Sequence, residues 1–274
     1  MRIVLPPGLP CAAQILAGTP PGGAGMRGAV LLKAAFSLVD EGTGVRRMQP
    51  MDHASAAIVT ADRLAPGVPP GAATVDDVAY EADLALAKPR SDILVEGFTG
   101  GLAQPPGQVT VDGALWFQRA PAPAPTRDLS QNLFGWEPRF TLDGDDTPVL
   151  RDPANVAGFA NLHRRHGAFS TPANRNAAPL PAGAVVRVTR SLDGTGASYA
   201  VRLPALVLTA RRRDWCGHGP DRPHRWRIVP LGTLAADTLI LTPASHRALI
   251  LWRTGWDWDP ASAPRYRSIE IREA

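Results

Sequence analysis

The sequence predicts a mainly β protein, an antiparallel β-sandwich-like fold with few short helices and a long irregular proline-rich insertion. Three observations carry this. The chain of 274 residues holds 28 prolines and 26 glycines, about a fifth of its length against roughly 12% in average proteins, which excludes a helical bundle or coiled coil. Apolar and polar residues alternate over short runs between Gly/Pro punctuation, the signature of half-buried strands, and no long window shows an amphipathic period of 3.6. Hydrophobic residues reach 45% and charged residues 20%, enough to bury about 70 to 75% of the unfolded surface at this length. The chain is therefore a folded protein rather than a disordered tail.

Taken in order, Met1-Arg2-Ile3-Val4-Leu5 meets Pro6 and Pro7 too soon to form a secretory apolar region. Leu9-Pro10-Cys11 has proline where a lipoprotein cleavage site needs a small residue. Strand-forming arms are expected at 29–39, 80–87, 93–98, 185–189, 199–203, 206–210, 226–229, 238–241, 248–252 and 268–272. The clearest turn is Asp112-Gly113 between Val109-Thr110-Val111 and Ala114-Leu115-Trp116-Phe117, since an Asp-Gly pair supplies the two positive φ angles of a type I′ hairpin. Residues 120–182 are rich in proline and poor in β-branched runs, and divide an N-terminal β half (1–119) from a C-terminal β half (183–274), which also suits one continuous domain. The apolar run Ala29 to Leu32 is cut by Lys33, and no run approaches the ~20 residues of a membrane helix. With only Cys11 and Cys216, no disulfide framework is expected, and the thiols read as free in a cytoplasmic protein.

Charge is distributed unevenly. Of 29 basic residues only Lys33 and Lys88 are lysines, as in a GC-rich genome that inflates arginine, alanine, proline and glycine together. The stretch 211–227 carries Arg211, Arg212, Arg213, Arg222, Arg225 and Arg227 against Asp214 and Asp221, and so accounts for the formal net charge of +4. Such a basic loop suits an acidic partner face. His163-Arg164-Arg165-His166 forms a second basic knot, read as a solvated surface.

The motifs of common enzymes are missing. Neither lysine follows a glycine as a Walker loop requires, and no G-x-S-x-G, H-E-x-x-H or C-x-x-C occurs. Gly23-Ala24-Gly25-Met26-Arg27-Gly28 has the dinucleotide spacing, but Pro20-Pro21-Gly22 stands where a buried strand is needed and a strand, not a helix, follows. It reads as a loop. Asp143-Gly144-Asp145-Asp146 reads as an acidic hairpin tip, because Pro148 and Ala154 occupy the positions where a calcium loop needs glycine and glutamate. Cys216, His218 and His224, with Asp221, are the one zinc-like constellation, thiolate and imidazole being the ligands zinc prefers. The arginines around them oppose a dication, and the spacing matches no zinc finger. A metal-dependent hydrolase built on that trio is the alternative to a non-enzymatic protein. Trp215, Trp226, Trp252, Trp256 and Trp258 stand beside Arg213, Arg227 and Arg253. That pattern fits either a packed β core or the stacking platforms of single-strand nucleic-acid binders, and the alternation of Ala248 to Arg253 favours the core.

Two segments carry a resemblance. Lys88-Pro89-Arg90-Ser91-Asp92-Ile93-Leu94-Val95-Glu96-Gly97 resembles the Lys-Pro-x-Ser/Thr-Asp-Val-Leu-Val-x-Gly signature of bacterial domain-of-unknown-function family 2169. Leu249-Ile250-Leu251-Trp252-Arg253 is similar to that family's C-terminal strand ending in Trp-Arg. An early strand like 32–38, a hairpin like 109–117 and a stretch like 202–206 occur in the same order. The resemblance implies an adaptor or chaperone that holds a type VI secretion effector or spike-tip protein during loading, with no catalytic residues and no cofactor. Lys88, Pro89, Asp92, Gly97, Trp252 and Arg253 then read as structural, since turn-forming side chains at a strand entry are expected there. Recognition falls to Arg211, Arg212, Arg213, Arg222, Arg225, His163, Arg164, Arg165 and His166.

Overall fold

The computed structural model describes residues 1–18, 25–60, 63–64, 78–80, 83–84, 86, 91–95, 108–118, 131–132, 140–142, 148–150, 179–189, 198–217 and 225–274. Within them the chain is mainly β, as its composition and alternation predict. In chain order the strands are β1 (Arg2–Val4), β2 (Cys11–Gly18), β3 (Arg27–Asp40), β4 (Val45–Pro50), β5 (Arg63–Leu64), β6 (Val78–Tyr80), β7 (Asp92–Val95), β8 (Gln108–Val111), β9 (Ala114–Gln118) and β10 (Gln131–Asn132). They continue with β11 (Phe140–Leu142), β12 (Pro148–Leu150), β13 (Val185–Thr189), β14 (Ser198–Arg202), β15 (Leu208–Trp215), β16 (Trp226–Thr233), β17 (Ala235–Thr242), β18 (Arg247–Asp257) and β19 (Tyr266–Glu273). Helical structure among the described residues is limited to 3-10 turns at His53–Ala56, Pro243–Ser245 and Ala263–Arg265. Among the described residues no helix is long and apolar enough to cross a membrane.

The principal sheet runs β10-β7-β17-β18-β3-β4-β14-β13-β8-β9, with β2 also paired to β3. Strand β3 is its spine. One edge pairs with β18 over residues 27–37; the other pairs first with β2 over 27–34 and then with β4 over 36–40, so β2 and β4 lie end to end. Strands from residues 1–119 and 183–274 therefore interleave in one sheet, and the proline-rich segment does not divide it.

A strand buried on both faces reads as a continuous apolar run, and Ala29 to Phe36 are all buried. Val30, Leu32, Ala34 and Phe36 face the main core with Leu239, Ile250 and Trp252. Ala29 and Leu31 face a smaller core with Leu16, Leu84, Leu86, Ile240 and Leu251. Each fully buried leucine of this kind contributes roughly 1.5–3 kcal/mol. The smaller core corrects one expectation: Tyr80 to Ala87 is not a strand throughout. β6 ends at Tyr80, and Asp83, Leu84 and Leu86 belong to no strand but are buried against the second face of the sheet.

A second sheet, β1-β19-β15-β16, closes the main core from the other side. Leu208, Ala210, Ile269 and Ile271 point inward from it. Between the sheets, Trp256 lies over Gly28, where a Cβ would fall 2.3 Å from the indole Cε2, so the close approach of β18 and β3 requires glycine at that position. The Asp112-Gly113 hairpin is present between β8 and β9, with φ of 48° and 80°. It docks on β13 through Asp112, whose Oδ1 accepts the Val185 N–H at 2.7 Å.

Candidate functional site

Charge and aromatic side chains gather at two places, one interior and one facing solvent. The interior one lies in the smaller core. Because side chains alternate along β18, Trp252 enters the main core, edge-to-face with Phe36 at 6.4 Å, and its neighbour Arg253 emerges on the opposite face. There Arg253 is 4% exposed and pairs with Asp237, which a register shift of β17 presents between Ala236 and Thr238. Its second terminal nitrogen donates to the Asp83 carbonyl at 3.1 Å, while its Nε–H meets no acceptor among the described residues. Lys33, on β3 and 1% exposed, donates to Asp83 Oδ2 at 2.6 Å, and the same oxygen accepts the Val59 N–H at 2.7 Å. Two cations and two carboxylates thus satisfy one another out of water. Breaking such a pair by removing one partner costs about 3–5 kcal/mol, because the other charge is left buried.

The solvent-facing place is the outer face of the second sheet. Its inner face carries Arg212, which is not part of an exposed loop as the sequence led us to expect: residues 208–215 are strand β15, and Arg212 is 6% exposed. Arg212 forks onto Asp214 at 2.7 and 3.0 Å and lies 3.8 Å over the Tyr266 ring. Arg212 is therefore not available to a partner. Alternation turns Arg211, Arg213 and Trp215 outward. Arg211 bonds Glu270 at 2.7 Å, and Glu270 also accepts Arg272, so the two arginines hold its carboxyl below the ordinary glutamate value.

Arg213 is exposed and lies 4.3 Å over Trp226 of β16, Trp226 meets Trp215 edge-on at 5.6 Å, and Arg267 of β19 lies 5.6 Å over Trp215. The result is a ladder Arg267-Trp215-Trp226-Arg213 across three strands. Arg225 and Arg227 are exposed too but stand on the other face of β16, Arg227 opposite the otherwise buried Asp214 and 3.8 Å from it. Trp226 and Ile228 are 39% and 56% exposed, large apolar side chains presented to water beside guanidinium groups. Each stacked guanidinium–indole pair is worth about 0.5–1 kcal/mol at exposed sites.

Of the remaining residues singled out by sequence, His163, Arg164, Arg165, His166, Arg222, His218, His224, Asp221, Lys88, Pro89 and Gly97 lie outside the described residues. So does the acidic stretch 143–146, which joins the paired strands β11 and β12. Asp92 begins β7, which runs parallel to β17. Cys216 is exposed just after β15, and among the described residues no group of His, Cys, Asp or Glu is placed to hold a metal ion. Cys11 is buried, which pushes its thiol pKa up to about 11.

The residues sequence reading missed are Lys33, Asp83 and Asp237 in the interior and Arg267 and Ile228 outside. A signal existed for the first group: a single charge inside an apolar run that is buried on both faces demands a buried partner. Comparison with protein-family models, with curated proteins and with solved structures found no match.

Proposed function

We propose that this chain is a non-enzymatic adaptor that holds an acidic surface of another protein on the outer face of its second sheet. The observation that carries this reading is the Arg267-Trp215-Trp226-Arg213 ladder, a preorganised, solvent-facing array of arginine and tryptophan. Aromatic and arginine side chains are the residues that anchor protein interfaces. Cations at the rim steer an acidic partner and raise its association rate more than its affinity. The resemblance of Lys88–Gly97 and Leu249–Arg253 to family 2169 supports a type VI secretion effector or spike-tip protein as the cargo.

The test is co-purification of the chain with the effector or spike-tip protein encoded beside it, at low and physiological salt. Reversing Arg213 and Arg267 to glutamate is expected to abolish capture while the thermal transition stays in place. Arg212 is unsuitable for such a test, because its substitution would strand Asp214 in the interior. Undiminished capture by the doubly reversed variant would reject the reading.

A further inference from the structure

Strand β16 is the last strand of its sheet, and among the described residues no strand pairs with its outer edge. Natural proteins blunt such edges with proline, bulges or charge, since an open row of N–H and C=O groups recruits another strand. Here the protection is confined to one half. Pro230 and the register shift opposite Ala210 and Arg211 disrupt the C-terminal half, and the Leu231 carbonyl is occupied by the Thr254 hydroxyl at 3.1 Å. The half from Trp226 to Val229 has neither proline nor bulge; its one charge, Arg227, repels a cationic strand but not an acidic one, and Trp226 and Ile228 are its most exposed large apolar side chains.

The hydrogen-bond phase fixes what that half offers. The Cys216 N–H donates to the Arg225 carbonyl at 2.8 Å and the Arg225 N–H donates to the Gly217 carbonyl at 3.0 Å, so Arg225 turns both backbone groups inward. In an antiparallel ladder bonded and non-bonded pairs alternate. Arg227 and Val229 therefore bond inward to β15, while Trp226 and Ile228 turn both N–H and C=O outward. Pro230, next in the outward series, lacks an N–H and ends the docking edge. Outward backbone groups at 226 and 228 thus coincide with the two side chains that stand exposed on the outer face.

We propose that this edge accepts an extended acidic segment of a partner protein as an additional strand on β16. The inference rests on the adaptor reading and specifies how the partner is held: main-chain bonds at Trp226 and Ile228 give the register, carboxylates on one face of the added strand reach Arg225 and Arg227, and its apolar residues lie beside Trp226 and Ile228 on the other. Charge argues against the obvious competitor, a second copy of the chain. Two β16 edges brought together would set Arg225 and Arg227 of one copy against the same cations of the other, and like charges across a strand pair are destabilising.

The probe is a synthetic octapeptide alternating aspartate and valine, followed by fluorescence anisotropy and by hydrogen exchange of the protein. Binding at least about tenfold tighter than that of the lysine–valine counterpart is expected, with slowed exchange confined to the edge amides of β16. Two variants separate backbone from side chain. Ile228→Ala keeps the outward N–H; Ile228→Pro removes it without touching the ladder to β15. Proline is expected to weaken the peptide about tenfold beyond alanine. Equal weakening by the two variants overturns strand addition but leaves the adaptor reading standing, because the face would still be recognised through its side chains. Tighter binding of an octathymidylate than of the acidic peptide overturns both. Concentration-dependent dimers of the chain alone, dissolved by Ile228→Pro, would assign the edge to a second copy and overturn the proposal.

Discussion

The interior quartet Lys33, Asp83, Asp237 and Arg253 and the outer ladder Arg267, Trp215, Trp226 and Arg213 use nearly the same chemistry in opposite settings. In the first, each charge found has its counter-charge within hydrogen-bond reach and almost no water. In the second, the cations outnumber the carboxylates and rest on indole rings in contact with solvent. Solvation decides the difference. A buried pair is costly to break and contributes to the fold alone, whereas a hydrated, unneutralised cation costs the fold little and is available to a partner. The comparison teaches that an arginine in this chain has to be assigned by the face of the strand on which it stands: Arg212 and Arg213 are adjacent and belong to different classes.

The largest effect that would break the comparison is at Asp83. Asp83→Ala leaves Lys33 buried without its carboxylate and removes the acceptor of the Val59 N–H, so urea unfolding is expected to lose about 3–5 kcal/mol; a loss below about 1 kcal/mol would mean that water reaches this site. Replacing both charges, Lys33→Met with Asp83→Leu, is expected to recover most of that loss and to retain only the cost of an unsatisfied Val59 N–H, about 1–3 kcal/mol. Next in size is Gly28→Ala, which drives a methyl into the Trp256 ring. Overpacking of this kind costs about 1–3 kcal/mol, and the displaced indole would show in near-ultraviolet circular dichroism.

Smaller effects sharpen the other side. Arg213→Glu is expected to change stability by under about 1 kcal/mol, the size of an exposed cation–π contact, while reducing partner capture most strongly at low salt. The thiols divide in the same way: a maleimide at pH 8 should label Cys216 rapidly and Cys11 only after denaturation, because burial raises the Cys11 pKa to about 11 and leaves little thiolate. Two fast labels would show that β2 opens readily. The smallest effect is at Glu270, whose folded pKa lies below the ordinary 4.5 because Arg211 and Arg272 bond its carboxylate. A depressed carboxylate stabilises fully above the unfolded value and loses that contribution as pH falls through the folded one. Wild type and Glu270→Gln should therefore differ at neutral pH and converge in acid below 4.5.

Much of the fold was legible in the sequence because period-2 alternation records burial directly. The arms at 29–39, 185–189 and 248–252 fall within β3, β13 and β18, and the Asp112-Gly113 turn was specified by the φ angles it needs. Strand β2 left little trace, since Cys-Ala-Ala-Gln-Ile-Leu-Ala-Gly lacks β-branched and aromatic residues except Ile15 and gains its place only by pairing with β3. Strand β15 was cut short at Ala210 because three arginines and an aspartate look like a loop, although alternation turns Arg211 and Arg213 outward and an Arg212–Asp214 fork allows those two into the interior. The arm at 80–87 was misread for the complementary reason: Asp83, Leu84 and Leu86 line the sheet rather than joining it. The ladder itself depends on strand register between β15, β16 and β19, which no local pattern specifies.

The division between a structural interior and a recognising outer face is tested most directly by measuring cargo capture and the unfolding midpoint together on Arg213→Glu/Arg267→Glu. The account predicts capture lost with the midpoint within a few degrees of wild type. Retained capture with an unshifted midpoint would contradict it.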